Sequence, residues 1–550
     1  MPDFELDSRW RTDLPARAVY SEGAGIARVT PRAVRVATSA DEVPGIVREA
    51  CGNGLPLIPR GSGSGMPGGA VGDGLVLDLS RLNRIAPVDI DRRRIWAGAG
   101  AVRNAVDAAA RAGGLRLPVD PSSGAFCTVG GMASTNAAGP HTLRFGAMRE
   151  WVTALDCVFD DGSRAVVRRG EALPAHVPAI ARFLPDARDA ILAAPQSLLE
   201  HAGVRKESSG YGLAAYARSG ELVDLLVGSE GTLAIIVGVE LALAPLPGAT
   251  SSVLAEFRTL EEAVDGAIRA RASGASACEL LDRTFLDVAA RGGGSGTSIS
   301  PSAEAVLLAE VEGDDEGAAA RAARSLGASF EDAGATTVRL AIDPGMEHEL
   351  WSLRHAASPT LARLDPELKS MQFIEDGAVP PERLPDYVRG VRAALERHGL
   401  RGVIFGHAGD AHAHVNPLID VRVPDWRERI AGLLGDVVAL TARLGGTLAG
   451  EHGDGRLRTP LLERVWPAET LELFALVKRA FDPESILNPG VKVPVAGQHA
   501  LGAIKYDPSL PPLPRAARAA LDLVERDRAY SSPRLALLEA EQSQAPASPT

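Results

Sequence analysis

The chain is 550 residues long, with 45% hydrophobic residues, 23% charged residues and a formal net charge of −12. That length argues for two to four domains with sizeable cores, and the acidity excludes a nucleic-acid binder without a separate basic face. Four cysteines stand far apart at Cys51, Cys127, Cys157 and Cys278 with no C-x-x-C among them, which excludes a thiolate-held iron–sulfur cluster, a structural zinc and a disulfide framework.

The N-terminal MPDFELDSRW is acidic and polar, unlike a signal peptide. Residues 31–60 predict strand, helix and strand, in AVRVA, DEVPGIVREACGNG and LPLIPR. A glycine-rich loop at 61–69 leads into the apolar strand GLVLDLS. IWAGAG and the Ala-rich run 101–112 add a strand and a helix stopped at Gly113 and Gly114. Residues 151–168 read as a hairpin turning at Asp161 and Gly162. LVDLLVGSEGTLAIIVGVELALAPLP closes this half, and Asp224, Glu230 and Glu240 within it argue against a bilayer span. From Thr250 strand–helix units repeat: SVLAEFR, a helix over 260–272, ACELLD, AVLLAEVEG, a helix over 315–326 and TTVRLAID. Residues 291–302 have the composition of a flexible loop. A helix over 344–364 carries Trp351, Arg354 and His355. MQFIEDGAV, a helix over 381–398, RGVIFGHAGDAHAHVNPL, a helix near 424–443 and GGTLAGEHGDGRLRTP follow. Beyond 496 a Pro/Ala-rich tail holds one amphipathic stretch, 515–528, and its last ten residues are expected to be disordered. The order is α+β rather than a regular alternation, and the protein is expected to be soluble and cytoplasmic.

Five motifs carry candidate chemistry. Gly63, Gly65 and Gly68 satisfy G-x-G-x-x-G, but Pro67 and a strand follow where a dinucleotide fold needs a helix, so the Rossmann reading fails. Between two strands the loop is either a hairpin tip or a nest of N–H groups around a diphosphate. Next, DPSSGAFCTVGGMASTNAAG (120–139) is dense in small residues that let backbone approach a flat ligand, with Thr128, Ser134 and Asn136 as hydrogen-bonding groups. A close-packed turn is the alternative. GSEGTLAII (228–236) ends a helix and starts a strand. His407, His412, His414 and His452 fall within 46 residues, where eleven evenly spread histidines would give about one. If 412–416 is extended, His412, His414 and Asn416 share a face, and Glu451 and His452 sit between glycines. Imidazoles plus a carboxylate suit Zn²⁺, Mn²⁺ or Fe²⁺, against a reading as ordinary core or surface histidines. Finally, Arg354 and Ser358 lie four residues apart on one helix face, suited to a carboxylate substrate or to a surface salt bridge.

In this order the motifs resemble one family. RGSGSGMPGG, TVGGMASTNAAG, LRFGAMREWV, KESSGYGL and GSEGTLAII look like a PCMH-type (vanillyl-alcohol-oxidase-like) FAD-binding domain. GHAGDAHAHVN followed by GEHGDG looks like the C-terminal half of the FAD-linked D-2-hydroxy-acid dehydrogenases, which include D-lactate, glycolate and D-2-hydroxyglutarate enzymes. The resemblance covers about residues 30–495. It implies an N-terminal extension (1–30), the FAD domain (31–247), an α+β substrate or cap domain (248–444), a segment completing the site (445–495) and a tail (496–550). It implies that FAD is bound non-covalently by Arg60, Gly61, Ser62, Gly63, Ser64, Gly65, Asp120, Thr128, Gly130, Ser134, Asn136, Glu230, Gly231, Ile236 and Asn488. His407, His414 and Glu451 match divalent-metal ligands, with Zn²⁺ first and Mn²⁺ or Fe²⁺ as alternatives. Arg354, Ser358 and Asn416 match substrate contacts, and His452 matches the catalytic base. The chain departs from the family at His412, where many members have Asn; it is placed with the substrate contacts, with metal contact or no role as alternatives. A substrate-binding Lys of the hydroxyglutarate enzymes falls at Ile374 or Glu375, which weakens a dicarboxylate substrate. The partners implied are a small 2-hydroxy acid and a separate electron acceptor: a quinone, a cytochrome, an electron-transfer flavoprotein or an iron–sulfur subunit. Through that acceptor the protein could sit at the inner membrane. Another chemistry on the same fold (an alcohol oxidase or alkyl-dihydroxyacetonephosphate synthase) and a non-catalytic electron-transfer subunit are the competing readings.

Overall fold

A computed structural model describes residues 6–291, 299–355 and 368–544. Ser358 and most of the expected loop at 291–302 lie outside these residues. The strands Ala33–Val36, Leu75–Asp78 and Leu57–Arg60 form a parallel sheet in that order. The helix Val43–Gly52 crosses between them, entered through a capping box in which Ser39 and Glu42 satisfy each other's backbone N–H groups. The glycine-rich loop joins Leu57–Arg60 to Leu75–Asp78. A second, antiparallel sheet runs Arg94–Gly98, Ile235–Ala242, Val152–Val158, Arg164–Arg168. Its hairpin turns where expected, with Gly162 at φ +76°, a conformation only glycine adopts freely.

The second half is built on an antiparallel sheet ordered Thr337–Ala341, Ala249–Phe257, Ala305–Gly313, Ala277–Asp282, Arg401–His407, His412–Asp420, Leu368–Ser370, with Gly377–Ala378 also paired to His412–Asp420. Helices Leu260–Ala272 and Glu316–Asp332 cover it; Thr259 with Glu262 closes a capping box on the first and Asp315 caps the second. Between Leu368–Ser370 and Gly377–Ala378 the segment MQFIEDGAV leaves the sheet, because Glu375 and Asp376 turn into a polar network instead of the ladder. The helix from Pro344 is described as far as His355.

After residue 445 the chain returns to the first half. Phe481 packs on Phe159 and Phe183, and Leu487 bridges to Leu57. The tail then forms helices Arg515–Asp527 and Arg534–Gln544, so the first four of the last ten residues are helical. Across the interface, His141 joins Asp120 of the first half to Glu310 of the second, and Arg116 pairs with Glu312. Among the described residues, no helix is long and apolar enough to cross a membrane.

Candidate active site

One groove runs along the 61–65 loop. Its walls also include Thr128, Gly130, Ser134, Glu230, Gly231, Ile236, Glu451 and His452. The glycines there are required by close approach: a Cβ on Gly61 would stand 2.3 Å from Thr128 Oγ1, and one on Gly130 2.5 Å from Ala99 Cβ. Arg60 is buried beneath the loop with its guanidinium on the carbonyls of Tyr20, Glu22 and Ala70. Glu230, at φ +52°, accepts from the N–H groups of Asp454 and Gly455 and pairs with Lys492 at 2.9 Å, tying the 450–455 loop to the groove.

Three residues expected on the cofactor do not line this groove. The Asp120 carboxylate is held by His141 Nδ1 at 2.6 Å. Asn136 is the left-handed cap of its helix, and its amide oxygen accepts from Arg149 N–H. Asn488 donates to the carbonyls of Gly69 and Glu230, so it props the groove from outside. The density of small polar residues that suggested ligands is here also used for turn and cap geometry.

The hairpin Arg401–His407 and His412–Asp420 brings the histidines together, with His407 opposite His412. Ala411 takes a left-handed φ of +52° to close its turn. Ligand atoms of His407, His412, His414 and Glu451 all lie within 4.8 Å of one another. His407 Nδ1 is 2.5 Å from Glu279 Oε1, and His414 Nδ1 donates to the Glu375 carbonyl, leaving each Nε2 facing Glu451 Oε1 at 3.3 Å. A second possible grouping (Asp376, His414, Glu451, His452) would use a half-exposed imidazole and a carboxylate already occupied by His412 and two backbone N–H groups. The oriented Nε2 pair favours the first, since ligand histidines are held through their other nitrogen. Lone pairs of two imidazoles and a carboxylate, buried and converging, fit a divalent cation.

His412 is fully buried. Its Nε2 meets Asp376 Oδ1 at 2.9 Å, and its Nδ1 has no hydrogen-bond partner. Burial pushes its pKa down to about 3, so it is a neutral ligand-type imidazole. His452 stacks on His414 at 5.5 Å, with its Nδ1 3.1 Å from Glu375 Oε1 and its Nε2 3.7 Å from Glu451 Oε1. Burial alone would lower it, but Asp376, Glu375 and Glu451 outweigh that and lift it to about 9. For Glu279, burial is outweighed by His407 and Arg354, which hold its carboxyl well below the usual range. Arg354 donates to Glu279 at 2.7 Å and lies over the Phe405 ring. Asn416 is half-buried, two residues beyond His414 on the same strand.

Sequence reasoning missed the residues that hold the others. Lys206, from KESSGYGL, is buried with Nζ 2.9 Å from Glu451 Oε2. Arg458 is buried against both Glu375 and Asp376. Glu279 lies in ACELLD, a strand buried along its whole length. A carboxylate at such a position needs a cationic partner, and that was the one available signal.

Comparison with known families places the groove and the cluster in one class, the flavoprotein oxidoreductases. Residues 31–168 match the FAD binding domain family, and 246–491 match the C-terminal domain of the FAD linked oxidases. A D-lactate dehydrogenase of Archaeoglobus fulgidus is 31% identical over 460 residues, covering 82% of this chain and 89% of the relative. A glycolate oxidase subunit GlcD of Bacillus subtilis is 29% identical, covering 84% of this chain and 88% of the relative. A D-2-hydroxyglutarate dehydrogenase of Pantoea ananatis is 30% identical over 87% of this chain but only 49% of its own length. In structure the chain is similar to a 4-ethylphenol oxidase from Gulosibacter chungangensis, with TM-score 0.65 at 14% identity over 88% of this chain and 94% of that one. It is also similar to an alkyldihydroxyacetonephosphate synthase, with TM-score 0.60 at 16% identity over 88% and 83%. The chain belongs to the FAD-linked oxidase family, with the PCMH-type, vanillyl-alcohol-oxidase-like fold of its FAD-binding domain.

Proposed function

We propose that the chain oxidises a small D-2-hydroxy monocarboxylic acid, of the lactate or glycolate type, to the 2-oxo acid. The observation that carries this reading is that Glu451 and His452, from the histidine cluster, line the same groove as the glycine loop. When bound, FAD supplies a two-electron acceptor, and a divalent cation (Zn²⁺ first) supplies a Lewis acid for the substrate hydroxyl.

His407, His414 and Glu451 would hold the cation, oriented by Glu279 and the Glu375 carbonyl. His412, whose buried Nδ1 has no partner, would add a fourth donor, a metal role in place of the substrate contact expected for it. His452 Nε2 takes the hydroxyl proton while Glu375 anchors Nδ1, a fixed-tautomer arrangement that suits a general base. The base must start neutral, and a cation sharing Glu451 would offset that carboxylate's part in raising the His452 pKa. Arg354 and Asn416, with Ser358 beyond the described residues, hold the substrate carboxylate. The choice of a monocarboxylate rests on Ile374 and Glu375. One is apolar, the other is a buried acid committed to Arg458 and His452, and neither supplies a cation for a second carboxylate. Non-covalent FAD is supported by Cys127, whose buried thiol is pushed up to about 11 and is a poor nucleophile at the groove wall. The partner implied by that chemistry is a separate electron acceptor.

The test is an anaerobic visible spectrum of metal-replete protein titrated with D-lactate, glycolate and D-2-hydroxyglutarate. D-lactate or glycolate should bleach the flavin band, and D-2-hydroxyglutarate should not. A flavin band that none of the three bleaches refutes the proposed reaction. Equal bleaching after chelation removes the cation from it.

A further inference from the structure

The matched family region ends at residue 491, and the chain beyond it does not trail away. Ile504 bridges to Ala27, and helices Arg515–Asp527 and Arg534–Gln544 pack on helix Leu14–Val19 and the outer face of the parallel sheet. In the turn between the two tail helices, Tyr530 lies against Phe126 with ring centroids 5.2 Å apart. Arg534 then enters the protein. It is 3% exposed, its guanidinium lies over Tyr530, and its Nη2 donates to the carbonyl of Ser62, in the loop that lines the groove. Its Nε and Nη1 are buried without a hydrogen-bond partner.

Its neighbour under the same loop is Arg60, 1% exposed, whose donors reach only carbonyl oxygens. Among the described residues, neither guanidinium has a carboxylate within ion-pair distance. Asp78, the carboxylate that acts on both, accepts from the Tyr20 hydroxyl at 2.5 Å and the Ser80 N–H at 2.8 Å and supplies one negative charge against two cations. The Glu22 carboxylate is held by Arg518 at 3.0 Å. Burial first, and the neighbouring Arg60 second, press Arg534 down to about 10, which is still fully charged at neutral pH. Two buried cations beside a glycine loop, short of counter-charge, are costly unless an anion comes to that loop.

We propose that Arg534 is a cofactor-retention residue: with Arg60 it is balanced by the diphosphate of FAD on the 61–65 loop, and the tail is a strap that FAD holds closed. The inference rests on FAD as the ligand of the groove and is independent of which hydroxy acid is oxidised. Arg534 acts through Ser62, whose carbonyl it fixes, and through its charge. A ligand that compensates buried charge stabilises the loaded state over the empty one.

The test compares full-length wild type with Arg534→Met and Arg534→Lys. FAD dissociation constants are read by flavin fluorescence on deflavinated protein, and thermal unfolding is followed without ligand, with FAD and with ADP as a diphosphate probe. Arg534→Met should bind FAD about 10- to 100-fold more weakly, the range for one charge-assisted contact. Its ligand-free form should melt at or above the wild-type temperature, so the rise caused by FAD or ADP shrinks, and Arg534→Lys should recover part of it. An unchanged dissociation constant overturns the proposal, as does an equal loss of stability in both forms with the ligand-induced rise intact. Wild type alone gives a second measurement: deflavination should speed tryptic cleavage between 526 and 534, and an unchanged rate overturns the strap. If wild type bound no FAD, the cofactor reading itself would fail. FAD binding that ignores Arg534 would defeat only the strap.

Discussion

Replacing His141 by Gln should loosen the two halves from each other, with a pH dependence whose sign is set by the structure. His141 Nδ1 lies 2.6 Å from Asp120 Oδ2 in the FAD-binding half, and its Nε2 lies 2.8 Å from Glu310 Oε1 in the other. Its side chain is only 20% exposed. Burial would lower its pKa, but the two carboxylates outweigh that and raise it well above the ordinary histidine value. Two charge-assisted bonds, with Glu310 left partly unpaired on removal, are together worth about 2–4 kcal/mol. Because the folded-state pKa is raised, this stabilisation is complete below the unfolded histidine value near 6.5 and is lost as pH rises through the folded value. Thermal unfolding of wild type and His141→Gln between pH 6 and pH 10 should therefore show a gap in midpoint that is widest at pH 6 and narrows upward. A gap that is constant across that range, or absent at pH 6, would refute the reading of His141 as a cationic clasp.

Two further substitutions probe the site. Glu375→Gln removes one of the charges that lift His452 to about 9, so the acid limb of kcat/KM should move about one pH unit lower while FAD is retained; an unmoved limb would detach His452 from that ionisation. His412→Asn restores the residue common in the family and removes the buried Nδ1, so affinity for Zn²⁺, measured by competition with a chelating dye, should fall about 10- to 100-fold; an unchanged affinity would show that His412 is no donor.

Elements defined by local pattern were legible before the structure. ACELLD and AVLLAEVEG coincide with the strands Ala277–Asp282 and Ala305–Gly313, and the helix read at 260–272 is Leu260–Ala272, because capping residues and apolar period act within a few residues. The helix starting near Asp315 runs six residues beyond its expected end at Leu326, because Gly327 carries the signal of a helix stop while Phe330 continues the buried face. The broken strand at 371–376 could not be read: FIEDGAV has strand composition, and what interrupts it is the demand of His412, His452 and Arg458 for carboxylates, made from segments 36 to 83 residues away. Lys206 was hidden for the same reason, its partner Glu451 being 245 residues distant.

The histidine cluster was legible because four residues of one type crowd into a hairpin and a following loop, whereas the charges that set its chemistry were not. Those charges explain what the site asks of a ligand. Glu279, Glu375, Asp376 and Glu451 are buried together, and the permanent cations set against them are Arg354, Arg458 and Lys206. The remaining negative charge favours protonated imidazole: against burial it lifts His452 to about 9, and Glu279 and Glu451 raise His407 as well. Asp410, 3.9 Å from Lys206 with one buried oxygen unpartnered, is pushed upward by burial and so leans toward its neutral form. A divalent cation among His407, His414 and Glu451 would reverse both tendencies, favouring ionised Asp410 and neutral His452. The same network would therefore hold the cation and release the base at Nε2, so the protonation state needed for proton abstraction would follow from filling the cluster and not from the pH of the solution alone.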